Sequence, residues 1–131
     1  MDVTTPSPAP ESFQHVTDHC RQVSGILARV GDKWTVLVVM LLGAGPRRFN
    51  DIKRQVDGIS QRMLTLTLRG LERDGMVRRT VTPSIPPRVD YELTPLGGSL
   101  LDPVRGLGAW AQANIETIEA ARAAFDKNTA N

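Results

Sequence analysis

Cys20 is the one thiol in the chain, and Arg21 follows it directly. A thiolate attacks electrophiles and is open to oxidation, and such reactivity is favoured at the positive end of a helix or beside a cation. Asp18 is suited to capping a helix that starts there, which would place Cys20 in its first turn. The same residue also keeps step with Val23, Leu27 and Val30, where a cysteine serves as a small buried apolar side chain. The residues themselves leave both readings open. A single cysteine closes no disulfide within the chain and builds no metal site of several thiolates. The only histidines, His15 and His19, lie beside a flexible arm, His19 and Cys20 do not make a nucleophile and base because adjacent helix residues point about 100° apart, and no carboxylate pair is placed by spacing. No catalytic group, metal or cofactor is expected.

The second chemistry is that of clustered cations. Residues 47–90 hold ten Arg or Lys and five Asp or Glu, a local charge of +5 in a chain of net charge +2, so the remainder carries −3. Positive charge concentrated in one segment suits phosphates, although a merely solvated basic face has the same composition. Periodicity has to decide between them.

The elements that must position these groups are compatible with one mainly helical domain. Apolar residues make up 40% and charged residues 23% of the 131, as in ordinary globular proteins. Residues 36–42 form the longest apolar run, far short of the ~20 a membrane span needs, so they read as core helix. Residues 1–17 contain Pro6, Pro8 and Pro10 without the parts of a signal peptide and read as a disordered arm. The domain is then 18–126, with 127–131 as a tail, and the expected location is cytoplasmic, at the nucleoid.

Within that domain the first helix carries the Cys20 stripe and stops at Gly31. Asp32 caps a second, apolar nearly all round from Trp34, which predicts a post enclosed by other helices. After a brief extended piece at 47–49, Asn50 is the expected cap of a short third helix, with Lys53 and Arg54 outside. Asp57-Gly58 turns the chain, and Ser60 caps a fourth helix ending at Gly75. Leu64, Leu66 and Leu68 alternate like a strand there. The helical set Leu64, Leu68 and Leu71 prevails, and Gly70 in its middle has no account at this level. Two strands follow, at 76–82 and around Val89, Tyr91 and Leu93, joined by a proline-rich loop. Thr94-Pro95 restarts helix. From about Leu101, a stripe of Val104, Leu107, Ala111, Ile118, Ala121 and Phe125 outlasts what so small a domain covers and is a candidate homodimer face.

Helix, turn, helix and a two-stranded basic hairpin are the parts of a winged helix-turn-helix, whose second helix enters a major groove about 12 Å wide. With the leucines inward, Gln61, Arg62, Thr65, Leu66, Arg69 and Arg73 point outward. Arg pairs with guanine, Gln with adenine, and the Thr methyl meets thymine. Ser60, Gln61, Arg62, Thr65 and Arg69 are therefore the candidate base contacts on double-stranded DNA. Arg48, Lys53, Arg54, Arg78, Arg79 and Arg88 are the candidate backbone or wing contacts. A winged-helix protein-docking module is the alternative, since fold alone does not define function. Trp34 and Trp110 could line a pocket for an aromatic effector between subunits.

Taken in order, Cys20, Gly31-Asp32-Lys33-Trp34, Arg48-Phe49-Asn50-Asp51-Ile52, Gly58-Ile59-Ser60, Met63-Leu64-Thr65, Leu68-Arg69-Gly70-Leu71-Glu72, Asp74-Gly75 and Pro86-Pro87-Arg88-Val89-Asp90-Tyr91-Glu92-Leu93-Thr94 resemble the HxlR family of bacterial winged-helix regulators. The resemblance spans residues 20–110. It implies a homodimer paired through terminal helices, a pseudo-palindromic operator, and action as repressor or activator. Cys20 matches the amino-terminal cysteine with which several such regulators sense quinones, aldehydes or disulfide stress. Without a second cysteine, an adduct with a small electrophile or a Cys20-to-Cys20 link between subunits is the available chemistry. Gly70 and Leu66 depart from the polar or charged residues usual at those places, which bears on the operator sequence.

Overall fold

The structure is a computed structural model and describes residues 18–129, Asp18 and His19 by their backbone alone; the arm read at 1–17 and the capping side chain read at Asp18 lie outside what is described. Helix α1 covers Asp18–Val30 and α2 covers Lys33–Leu42. Asp32 caps α2 as its sequence position predicts, one carboxylate oxygen accepting the N–H groups of Trp34 and Thr35 at 3.1 Å each. Thr35, Val38, Val39 and Leu42 are buried. The expected all-round enclosure of α2 is not found, for Leu37 and Met40 remain 41% and 42% exposed. One chain covers one side of this helix and leaves the other bare.

Strand β1 (Arg47–Arg48) runs into α3 (Phe49–Gln55), and α4 covers Gln61–Arg73. Asn50 is not the cap of α3. The helix begins a residue earlier, with Arg48 in the cap position and no side-chain capping bond. Pairing of Arg47 and Arg48 to a neighbouring strand holds the chain extended up to Phe49, so the helix starts where the pairing stops. Ser60 does cap α4, its Oγ accepting the Met63 N–H at 3.0 Å. Leu64, Leu68 and Leu71 are at most 1% exposed, against 52% for Leu66, so the helical period overrides the alternating one. The helix closes in a Schellman turn. Met76 N–H donates to Leu71 C=O at 2.9 Å and Gly75 N–H to Glu72 C=O at 3.0 Å, with Gly75 at a φ of 79° that a side chain would disfavour.

Strands β2 (Val77–Thr82) and β3 (Arg88–Leu93) pair antiparallel from Val77 opposite Leu93 to Thr82 opposite Arg88. β1 lies on the far side of β3, giving a three-stranded sheet in the order β1-β3-β2. Val38, Val39, Ile52, Val56, Ile59, Leu64, Leu68, Leu71 and Val77 make one core at the junction of helices and sheet. Helix α5 (Pro95–Ser99) then leads to α6 (Leu101–Thr129). At 1.5 Å per residue the 29 residues of α6 reach ~43 Å. They continue through the first part of the segment read as a tail. Val104 is buried against its own protomer, at 7% exposure, which removes it from the proposed dimer stripe. Leu107, Trp110, Ile115 and Phe125 stand 52% to 69% exposed further along.

Candidate nucleic-acid interface

Helix α4 is amphipathic, and its polar side fronts the wing. At 100° per residue, the buried Leu64, Thr67, Leu68 and Leu71 occupy one side, and the exposed Arg62, Arg69 and Arg73 share the opposite one. Gln61 and Arg62 are exposed in the first turn, just past the Ser60 cap. Thr65 is half-buried, and its hydroxyl donates to the Gln61 carbonyl at 2.9 Å, so the side chain's polar atom is engaged within the helix. The six residues read as outward are exposed or half-buried on one side of the helix, and at its edge toward α1 both Leu66 and Arg73 line a groove between α1 and α4 with Ile26, Met63 and Leu96.

The wing cations divide. Arg78 donates to Glu92 directly across the hairpin at 3.1 Å, and Arg88 to Asp90 at 3.0 Å. Arg79 instead lines a cavity of about 350 Å³ between α4 and the sheet, with Phe49, Thr65, Arg69, Glu72 and Tyr91. Arg69 and Arg79 therefore flank one cleft, which brings a cation of α4 and a cation of the wing to a shared rim that Glu72 also lines. On the other side of the wing, Arg48, Arg54 and Arg88 border a second cavity of about 820 Å³ along with Asn50 and the loop residues Ser84, Pro86 and Pro87. Arg54 is ion-paired with Asp51 one turn back along α3. Lys53 is half-buried. Ile85 is fully exposed at the wing tip. Glu92 and Asp90 are the members missed from sequence; hairpin register would have placed Glu92 opposite Arg78, but spacing alone does not supply register.

Away from this face, Cys20 is half-buried near the start of α1. Trp34 packs on the protomer's own core, with Lys33 Nζ 4.3 Å from its ring centroid, while Trp110 is 60% exposed on α6. Core packing accounts for Trp34. The stripe on α1 is divided too: Val23 and Val30 are half-buried, and Leu27 is 59% exposed. Among the described residues no helix is long and apolar enough to cross a membrane.

A capped helix with an arginine face, preceded by a short helix and followed by a basic antiparallel hairpin, defines a winged helix-turn-helix protein. The sequence model of the HxlR-like helix-turn-helix family matches residues 29–119, and the chain belongs to that family. It is 38% identical over 97 residues to the HTH-type transcriptional regulator YtfH of Escherichia coli, covering 74% of this chain and 77% of the relative. It is similar in structure to the redox regulator HypR in its reduced form, with a TM-score of 0.70 and 38% identity over 76% of this chain and 98% of that one. The reduced form of the transcriptional regulator YodB from Bacillus subtilis aligns with a TM-score of 0.63 and 35% identity, over 70% and 90% of the two chains. The protein is a transcriptional regulator and not an enzyme.

Proposed function

We propose that the chain acts as a homodimer that binds a pseudo-palindromic DNA operator, reading each half-site with α4. The observation that carries this reading is the arginine face of Arg62, Arg69 and Arg73 standing opposite the buried leucines of α4, beside the wing. In this reading Gln61, Arg62 and Thr65 meet base edges, as does Ser60 at the exposed start of the helix. Arg69 and Arg79 fit a phosphate between helix and wing; Arg48, Lys53, Arg54, Arg78 and Arg88 fit the flanking backbone. Two-fold pairing through α6 and the bare sides of α1 and α2 would place two copies of α4 in successive major grooves.

Selection from randomised duplex DNA at fixed salt tests this. Wild-type protein is expected to enrich two inverted half-sites about one helical turn apart, and an Arg62→Ala, Arg69→Ala variant to lose them. Salt-sensitive binding without a preferred sequence would instead support an electrostatic face on a protein-docking module.

A second reading concerns control. HypR is described as a redox regulator, and Cys20 sits half-buried at the start of α1. Cys20 would respond either by adding to a small electrophile or by joining Cys20 of a second copy in a disulfide, two thiols giving up two protons and two electrons to an oxidant. Loss of operator binding after diamide treatment, absent in Cys20→Ser, is the expected result.

A further inference from the structure

The side chain of Arg29 leaves α1, crosses α4 at Gly70 and donates from Nε to Asp74 Oδ2 at 3.0 Å. Gly70 is buried in the last turn of α4, three residues before Arg73, where glycine still weakens a helix. A Cβ built there would stand 2.5 Å from the Cζ of Arg29, so the glycine is the opening through which the guanidinium passes. Asp74, its acceptor, is the residue that ends α4 just before Gly75. The pair is only about one-third exposed on either side chain. Arg29 thereby spans a groove of about 1010 Å³ that otherwise separates α1 from α4, walled by Gly25, Ile26, Met63 and Leu66.

The three core leucines fix α4 against α2 and the sheet, and α1 adds only Val30, at its last residue, to the edge of that core. Helix α1 is the loosely seated partner, since its Ile26 and Leu27 are 57% and 59% exposed. We infer that Arg29 is a positioning residue: by gripping Asp74 across Gly70 it sets the angle of α1 to the reading helix, and so the spacing of the two reading helices in the dimer. The inference rests on the homodimer reading above, in which α1 contributes to the pairing surface. It assigns Gly70 the role of clearing a path, and it gives any event at Cys20, on the same helix, a route to α4.

The test uses the operator recovered by selection, together with versions whose half-sites are one base pair closer or farther apart. One base pair turns a half-site by about 34° and moves it ~3.4 Å along the duplex. Wild-type protein is expected to bind the altered spacings on the order of tenfold more weakly, as it would a mismatched base pair. Gly70→Ala and Arg29→Gln are expected to bind all three spacings nearly alike and to keep wild-type affinity for a single half-site. Gly70→Ala should unfold at or above the wild-type temperature, because alanine favours helix while only a flexible side chain is displaced. Reversing the pair, Arg29→Asp with Asp74→Arg, should restore the spacing preference. Wild-type spacing discrimination in Gly70→Ala overturns the inference, as does an equal loss on the single half-site, which would place the effect within α4 itself. A wild-type protein indifferent to spacing overturns the dimer reading, and the role of Arg29 falls with it.

Discussion

Arg62 and Lys53 carry the same charge, yet the operator reading proposed above gives them different work. Arg62 is exposed in the first turn of α4, on the face away from Leu64 and Leu68, where a planar guanidinium would suit base edges through pairs of hydrogen bonds. Lys53 is half-buried on the short helix that precedes the turn, and its compact ammonium suits a phosphate at the groove's edge. Arg62→Ala is expected to cost ~1–3 kcal/mol on the preferred sequence and to relax specificity at one base pair. Lys53→Ala should weaken binding evenly across sequences and lower the slope of log affinity against log salt by about one. Competition binding at several salt concentrations, on the selected operator and a scrambled duplex, separates the two. An even loss for Arg62→Ala would remove it from the base-reading set. At this scale, residue types and the helical period already named Gln61, Arg62 and Thr65 as the outward group. They did not show that Arg78 would be held by Glu92, because a counter-ion across a hairpin depends on register, nor that Arg88 would turn along its own strand to Asp90.

Elements hold the site through their ends as much as through their cores. Ser60 starts α4, the Gly75 turn stops it, and Thr94 links that turn to the helix after the wing. The Thr94 hydroxyl donates to the Gly75 carbonyl at 2.6 Å and accepts the Gly97 N–H at 3.1 Å, so one oxygen both caps α5 and ties it to the end of α4. Thr94→Ala is expected to lower stability by ~1–2 kcal/mol, at the upper part of the range for a cap, since two bonds are lost together. Thr94→Ser, which keeps both, should recover most of it. Urea titration with an unchanged m-value is the measurement; a loss no greater than that of Ser60→Ala would mean the tie to Gly75 contributes nothing beyond capping. The caps at Asp32 and Ser60 were legible because each sits just before an apolar helical period, and that at Thr94 because a proline follows it at the first helical position. Asn50 was misread for a reason outside its own neighbourhood: strand pairing of Arg47 and Arg48 with β3 sets where α3 begins.

For the whole molecule, the apolar surface left bare is the feature a single chain does not explain. Leu37 and Met40 on α2, Ile26 and Leu27 on α1, and Leu107, Trp110, Ile115 and Phe125 on α6 all remain well exposed. Exposed apolar area of this extent marks an interaction surface, and two-fold pairing is the commonest way to cover one. On the homodimer reading proposed above, replacing Leu107 and Trp110 together with Glu should give a folded monomer by sedimentation, since both are more than half exposed in the protomer. The monomer is expected to bind the full operator no better than a single half-site. A variant that sediments like the wild type would place the pairing surface elsewhere.

What the sequence by itself determined is the order of helices and strands, the caps of α2, α4 and α5, and the leucine face of α4, all of which follow from spacings within a few residues. The family resemblance was carried by the same short motifs. What only the tertiary structure decided involves residues far apart in the chain. Gly70 had no account until Arg29, 41 positions earlier, was seen to lie across it on the way to Asp74. Val104 belonged to the apolar stripe by periodicity, yet the end of α6 that carries it packs on its own protomer. Helical and strand periods report which side of an element is apolar; which neighbour covers that side, and where an opening must be left for a side chain to cross, is settled only when the elements pack.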